Sequence, residues 1–232
     1  MKILYYLKYF YFISKNWNPW LGAFTVYHEI RGEKKYGIDT IKINRLHDEK
    51  IDSENLSHAS IYQASNYYLI EKAFEYLKQE NVNHALVDFG CGRGRILVVA
   101  AHYGFKAITG IDFSTMLCIE AEANVEKIST LFPGIQFEVI CADAASYQIR
   151  NYQNCFFFFN PFDEIVLLKV VKNILDSIKK FPRKIYVIYL NPVHKEVFLS
   201  AGFEEEYFFK KMEYLEFCIL SKSDWQNEKS NK

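Results

Sequence analysis

Asp88, Asp112, Asp143 and Asn160 are the side chains of this sequence that look placed for chemistry, because each stands at or near the end of an apolar run. The first lies in the stretch Val87-Asp88-Phe89-Gly90-Cys91-Gly92-Arg93-Gly94-Arg95. Gly90, Gly92 and Gly94 let the backbone turn sharply and come close to a ligand, since no Cβ stands in the way. The helix-compatible run behind them, 96–101, would present free backbone amides at its start. A dinucleotide loop reads G-x-G-x-x-G. Here the third glycine comes one residue early and Arg95 takes its place. Asp88 would also crowd a pyrophosphate with negative charge. It suits a ligand that carries a cationic amino group. Cys91, inside the loop, reads as a small filler and not as a nucleophile.

Asp112 follows the run 107–111. A carboxylate there can accept both hydroxyls of a ribose; its competing role is to cap the helix that begins after Phe113. Asp143 follows the run 135–141, with an ordinary turn aspartate as the competing reading. Asn160-Pro161-Phe162 ends Cys155-Phe156-Phe157-Phe158-Phe159. Such a continuous apolar run is what a parallel strand covered on both faces shows.

These groups can meet only if their strands end on one side. From Leu86 the pattern alternates strand and helix: strands over 107–111, 135–141, 155–159 and 184–190, with helices over 114–128 and 163–180. The last two strands, 203–210 and 214–221, are joined by a short turn and should be antiparallel. The pattern predicts an α/β fold: a doubly wound, mostly parallel, Rossmann-like sheet of seven strands with the last one antiparallel. Ligands of such sheets bind beyond the carboxyl ends of the strands.

Residues 60–79 show a helical period with Ile61, Tyr68, Ile70, Phe74 and Leu77 as buried positions. Residues 44–57 are polar and read as a loop or lid; residues 27–40 are mixed and turn-rich, with no clean period. The aromatic run 1–13 is interrupted by Lys8 and is too short to span a bilayer. It fits a helix on the core or on a second subunit, or a segment lying on a membrane surface. The expected organisation is an extension and lid over 1–57, a ligand-binding domain over 58–221, and a polar tail over 222–232.

Lys plus Arg and Asp plus Glu are 28 each. No global positive field favours nucleic acid. The five cysteines form no C-x-x-C pair, which reads as reduced thiols in the cytoplasm. The six histidines show no ligand spacing, so no metal is expected. No general base stands out; His28, Asp39 and Tyr62 are the candidates.

The spacing Asp88-x-Gly90-x-Gly92-x-Gly94 resembles the first motif of class I S-adenosylmethionine-dependent methyltransferases. Residues 36–191 resemble a group of small bacterial members of that class. The shared pieces are Tyr36-Gly37-Ile38-Asp39-Thr40, Gly92-Arg93-Gly94-Arg95 and Asn160-Pro161-Phe162, and Arg93 stands where members usually carry lysine. The resemblance implies S-adenosylmethionine as cofactor, held by Asp88, Gly90, Cys91, Gly92, Gly94 and Asp112. It implies Phe113 over one face of the adenine, Asp143 accepting from the adenine amino group, and the Ala144 amide reaching the ring.

Asn160-Pro161-Phe162 resembles the Asn-Pro-Pro-aromatic motif of methyltransferases that act on amino or amide nitrogens, with one proline missing. In that motif the Asn oxygen and a backbone carbonyl accept hydrogen bonds from the target NH₂, and the ring packs on the target. The acceptor stays open among a protein side chain, a small amine and a glycan precursor. Tyr36, Asp39 and Tyr62 are expected to line its side of the site, with the loop between as lid; bracing of the sheet is the competing reading. The alternative to an enzyme is a nucleotide-binding or scaffold protein on a degenerate fold of this class.

Overall fold

The computed structural model describes residues 2–41, 64–80 and 85–223. Helices α1 (Lys2–Asn16), α2 (Pro19–Tyr36) and α3 (Tyr67–Gln79) come first. Then follow β1 (Ala85–Phe89), α4 (Arg95–His102), β2 (Ala107–Asp112), α5 (Thr115–Ser129), β3 (Gln136–Cys141) and a 3₁₀ turn (Ala144–Ser146). The chain continues through β4 (Gln153–Phe158), α6 (Glu164–Lys180), β5 (Ile185–Leu190), α7 (Lys195–Ser200), β6 (Glu204–Lys211) and β7 (Leu215–Lys222). These strands form one sheet in the order β3-β2-β1-β4-β5-β7-β6. β7 runs antiparallel to both β5 and β6, and the remaining pairs are parallel. This is the expected seven-stranded Rossmann-like fold.

Local chemistry sets the helix starts. Ser114 Oγ accepts from Leu117 N at 3.2 Å, and Asp163 Oδ1 accepts from Val166 N at 3.1 Å. Each satisfies one of the amides a helix N-terminus leaves open. The strands β1, β4 and β5 are buried almost throughout, because helices cover both faces. One face carries α3, α4 and α5, with Phe74, Leu97 and Ile128 in its core. The other carries α6 and α7, with Leu167, Ile174 and Phe198.

The turn-rich reading of 27–40 is corrected: helix α2 runs unbroken to Tyr36, where Gly37 caps it at φ 70. Its buried face is Leu21, Gly22, Thr25, Glu29, Gly32, Glu33 and Tyr36, at helical spacing. Glycines and glutamates on that face hide the apolar period. Gly32 is small because the Tyr67 ring lies directly against it. The expected lid over 44–57, together with Ile61 and Tyr62, lies outside the described residues, as does most of the expected tail over 222–232, whose first residue Lys222 ends β7.

Candidate functional site

Topology places the singled-out residues side by side. β3, β2, β1 and β4 are consecutive neighbours and parallel. Asp143, Asp112, the Gly90 loop and Asn160 therefore follow adjacent carboxyl ends.

The loop after β1 turns at Gly90, Gly92 and Gly94, with φ of 77, 52 and 75. All three lie in the left-handed region that side chains disfavour. Gly90 N and Cys91 N both donate to Ile111 O, at 2.8 and 3.0 Å, which anchors the loop to the end of β2. Gly94 begins α4 and packs on the Ala121 backbone.

Asp112 is buried. Its Oδ2 accepts from Gly92 N at 2.8 Å and its Oδ1 from Ser114 N at 3.0 Å. The helix cap is Ser114, and Asp112 instead closes the turn just before it. A carboxylate has about four lone-pair sites, so these two bonds leave room for a ligand. Asp88 is fully buried, and its Oδ2 has no hydrogen-bond partner among the described residues. Burial, and then the charge of Asp112, push its carboxyl well above the ordinary range. An unpaired buried carboxyl is costly until a partner arrives. The cationic amino group of S-adenosylmethionine is a fitting partner, so these residues suit that cofactor.

Cys91 is buried, and burial drives its thiol pKa well up. It packs where Gly110 leaves room. That agrees with filler and not with a nucleophile, which must be a thiolate. Phe113 is half-buried beside the site. Asp143 is exposed and opens the 3₁₀ turn, its Oδ1 accepting from Ala145 N at 2.9 Å. The Ala144 amide is not the one used by that cap.

Asn160 follows β4 with φ 43, a left-handed geometry that asparagine tolerates better than most residues. Its Oδ1 accepts from Tyr189 Oη at 2.9 Å. The Tyr189 oxygen in turn accepts from His194 N at 3.4 Å. Burial pushes the Tyr189 hydroxyl up to about 12, so it stays a donor. Phe162 meets the Phe158 ring edge-on at 6.4 Å. Pro161 lies against Gly90.

Beside this edge lies a buried ion cluster that sequence reasoning missed. Arg95 Nε donates to Thr40 Oγ1 at 2.7 Å and Nη1 to Glu29 Oε1 at 2.9 Å. Nη1 also donates to Ser65 O, and Nη2 lies 3.4 Å from Glu33 Oε1. The guanidinium stacks over the Tyr67 ring, 4.0 Å from its centre. Glu33 Oε1 further accepts from Thr40 N, Thr40 Oγ1 and Tyr67 Oη at 3.0, 2.8 and 3.0 Å. Arg95 begins α4 directly after the glycine loop, so this cluster ties α2 and residues 38–41 to that loop. The available signal was Glu29 and Glu33, four apart and so on one helix face.

Tyr36 is buried and stacked on Tyr67 at 5.6 Å, with its hydroxyl donating to Glu71 Oε1 at 2.9 Å. Burial raises its pKa strongly. It braces α2 against α3. Asp39 is half-buried at the start of residues 39–41. His28 sits among the rings of Phe24, Tyr27 and Tyr68, and burial lowers its pKa. α1 packs on α2, where Gly22 lies against Ser14 and Phe10 of α1. Burial, and then the charges of nearby glutamates, raise the pKa values of Tyr5 and Tyr6.

Residues 87–186 match the methyltransferase domain family. Among solved structures, the chain is similar to a Pyrococcus horikoshii protein assigned as an RNA methyltransferase, at 14% identity and TM-score 0.55, covering 85% of this chain and 98% of that one. The methyltransferase domain of bacterial CtHen1 matches at 17% identity and TM-score 0.51, covering 66% and 97%. Magnesium protoporphyrin IX methyltransferase from Synechocystis, solved with S-adenosylmethionine bound, matches at 14% and 0.49, covering 66% and 77%. At these identities the likeness is one of fold. None of the curated proteins matches the chain in sequence. The family match over residues 87–186 and the likeness of fold over the wider chain point the same way, to a methyltransferase fold.

Proposed function

We propose that this chain transfers a methyl group from S-adenosylmethionine to a nitrogen nucleophile held beside Asn160-Pro161-Phe162. The observation that carries the reading is the fixed Asn160, with φ 43 and its Oδ1 bonded to Tyr189, at the end of the strand next to the glycine loop. In this reading Asp88 receives the cationic amino group, Asp112 the ribose hydroxyls, and Asp143 with the Ala144 amide the adenine. The bound cofactor supplies a methyl group already activated by its sulfonium. Asn160 Oδ1 has a second lone pair beside the Tyr189 bond. That lone pair and a neighbouring backbone carbonyl accept from a target NH₂ and aim the nitrogen lone pair. The Phe162 ring packs on the target as positive charge develops there. A neutral amine keeps its proton until after attack, so a weak proton acceptor suffices.

The test compares acceptor classes directly. Release of S-adenosylhomocysteine is measured with panels of amines, amides, alcohols, thiols and carboxylates. Turnover with amines or amides above the rest supports the reading. Turnover confined to thiols or hydroxyls removes the nitrogen preference and leaves the methyltransferase.

A further inference from the structure

We propose that the outward face of α1 docks on a bilayer surface rich in anionic lipid. The helix is apolar or aromatic on both its inner and its outer side. Its protein-facing side carries Tyr5, Tyr6, Tyr9, Phe10 and Ile13, while Ile3, Leu4, Leu7 and Tyr11 stand 77, 59, 60 and 66% exposed. Those four fall at helical spacing and form one apolar row. Lys8 and Lys15 are exposed along that same row. α2 adds Trp20, Tyr27 and Ile30, also exposed, with Lys34 one turn beyond.

Charge decides what covers this face. The whole chain balances 28 bases against 28 acids, yet no acid occurs before Glu29. Glu29 and Glu33, the first two acids, are buried and paired with Arg95. The first two helices therefore show cations and apolar groups outward. A second copy would bring the same lysines and no acid to the contact. An anionic bilayer supplies hydrocarbon for Leu4 and Leu7 together with phosphates for Lys8 and Lys15. Aromatic side chains with polar tips, here Tyr11 and Trp20, suit the headgroup level. No helix among the described residues is long and apolar enough to cross a membrane, so α1 would lie along the surface. Its inner side packs on α2, which carries Glu29 and Glu33 to Arg95 behind the glycine loop, so docking would hold the cofactor site close to the bilayer.

The full chain is sedimented with vesicles of pure phosphatidylcholine and with vesicles containing about one-third phosphatidylglycerol. Binding to the anionic vesicles, at least about tenfold tighter than to the neutral ones and weakened by salt, is expected. Leu4→Glu and Leu7→Glu alter exposed positions and should leave circular dichroism and cofactor binding unchanged while cutting vesicle binding about tenfold. Failure to bind either vesicle overturns the proposal, as does equal binding to both. So does a dimer in light scattering that Leu7→Glu dissolves, because a second copy would then be the occupant.

Discussion

Gly90 and Pro161 touch so closely that Gly90 has no room for a side chain: a Cβ there would overlap the Cβ of Pro161. The loop that would hold the cofactor and the loop proposed to hold the acceptor are therefore one packed unit. Gly90 also has φ 77, where a side chain costs about 1–2 kcal/mol. Gly90→Ala is expected to lower stability by about 1–3 kcal/mol and to weaken S-adenosylmethionine binding several-fold. Denaturant unfolding and calorimetric titration read the two effects. Adding Pro161→Gly should recover the overlap but not the φ cost. Strict additivity of the two substitutions would mean the contact does not set the loop.

Asp112 holds two backbone amides and would also hold the ribose. Asp112→Ala should cost at least about tenfold in S-adenosylmethionine affinity, since each charge-assisted hydrogen bond contributes about 1.5–3 kcal/mol. It should also loosen the glycine loop, seen as faster hydrogen exchange at Gly92. Unchanged affinity in a folded variant would remove Asp112 from the site.

Asp88 gives a prediction with opposite signs. Its folded pKa is raised well above the unfolded value by burial and by Asp112. Between those two values the folded state binds more protons, so stability falls as pH rises through that window. Below the unfolded pKa both states are protonated and the penalty is absent. Asp88→Asn removes the penalty. The cofactor-free variant should melt higher than the parent at neutral pH, and the gap should close toward acid. Its affinity for S-adenosylmethionine should fall about tenfold or more, because the ammonium loses a charged partner. A lower melting temperature at neutral pH would show that Asp88 is ionised and satisfied without the cofactor.

The strand ends were readable from sequence because their signals are local. Glycines with left-handed φ, the capping Ser114 and Asp163, and the run Cys155–Phe159 each declare a turn, a helix start or a buried strand without reference to distant residues. The Arg95 cluster was not readable in that way. Arg95 lies 30 to 66 residues from Ser65, Thr40, Glu33 and Glu29, and α2 turns a face of glycine and glutamate inward. An apolar-period criterion reads such a face as a loop. A second group, centred on Glu71, explains why Tyr36 braces the core: α2 carries its hydroxyl to Glu71, which Arg31 and Lys35 also hold at 2.7 Å each.

Arg95→Lys tests that cluster. Lysine has a compact ammonium and no planar fork, so it cannot reach Thr40, Ser65, Glu29 and Glu33 together or stack on Tyr67. Breaking a buried ion cluster on one side typically costs about 3–5 kcal/mol. A loss of about that size is expected in denaturant unfolding. Hydrogen exchange should quicken first in α2 and residues 38–41, and cofactor affinity should drop as α4 loses its hold. A loss within about 0.5 kcal/mol would show that the extension is held by apolar packing alone.

Asn160 and Tyr189 separate positioning from binding. Tyr189→Phe keeps the ring among Phe158 and Phe198 but removes the hydroxyl that donates to Asn160 Oδ1. The Asn160 amide is then free to rotate, and its oxygen no longer points to one place. Turnover with an amine acceptor should fall about tenfold, the scale of one aligned hydrogen bond of about 1.5 kcal/mol. Cofactor affinity should hold, because neither residue is among those assigned to the cofactor. Asn160→Ala removes the acceptor oxygen itself and should cost more in turnover, again with affinity kept. The double variant should be no worse than Asn160→Ala, since Tyr189 acts only through that side chain. If Tyr189→Phe worsens Asn160→Ala further, or if either single change weakens the cofactor instead of turnover, Asn160 does not orient the methyl acceptor.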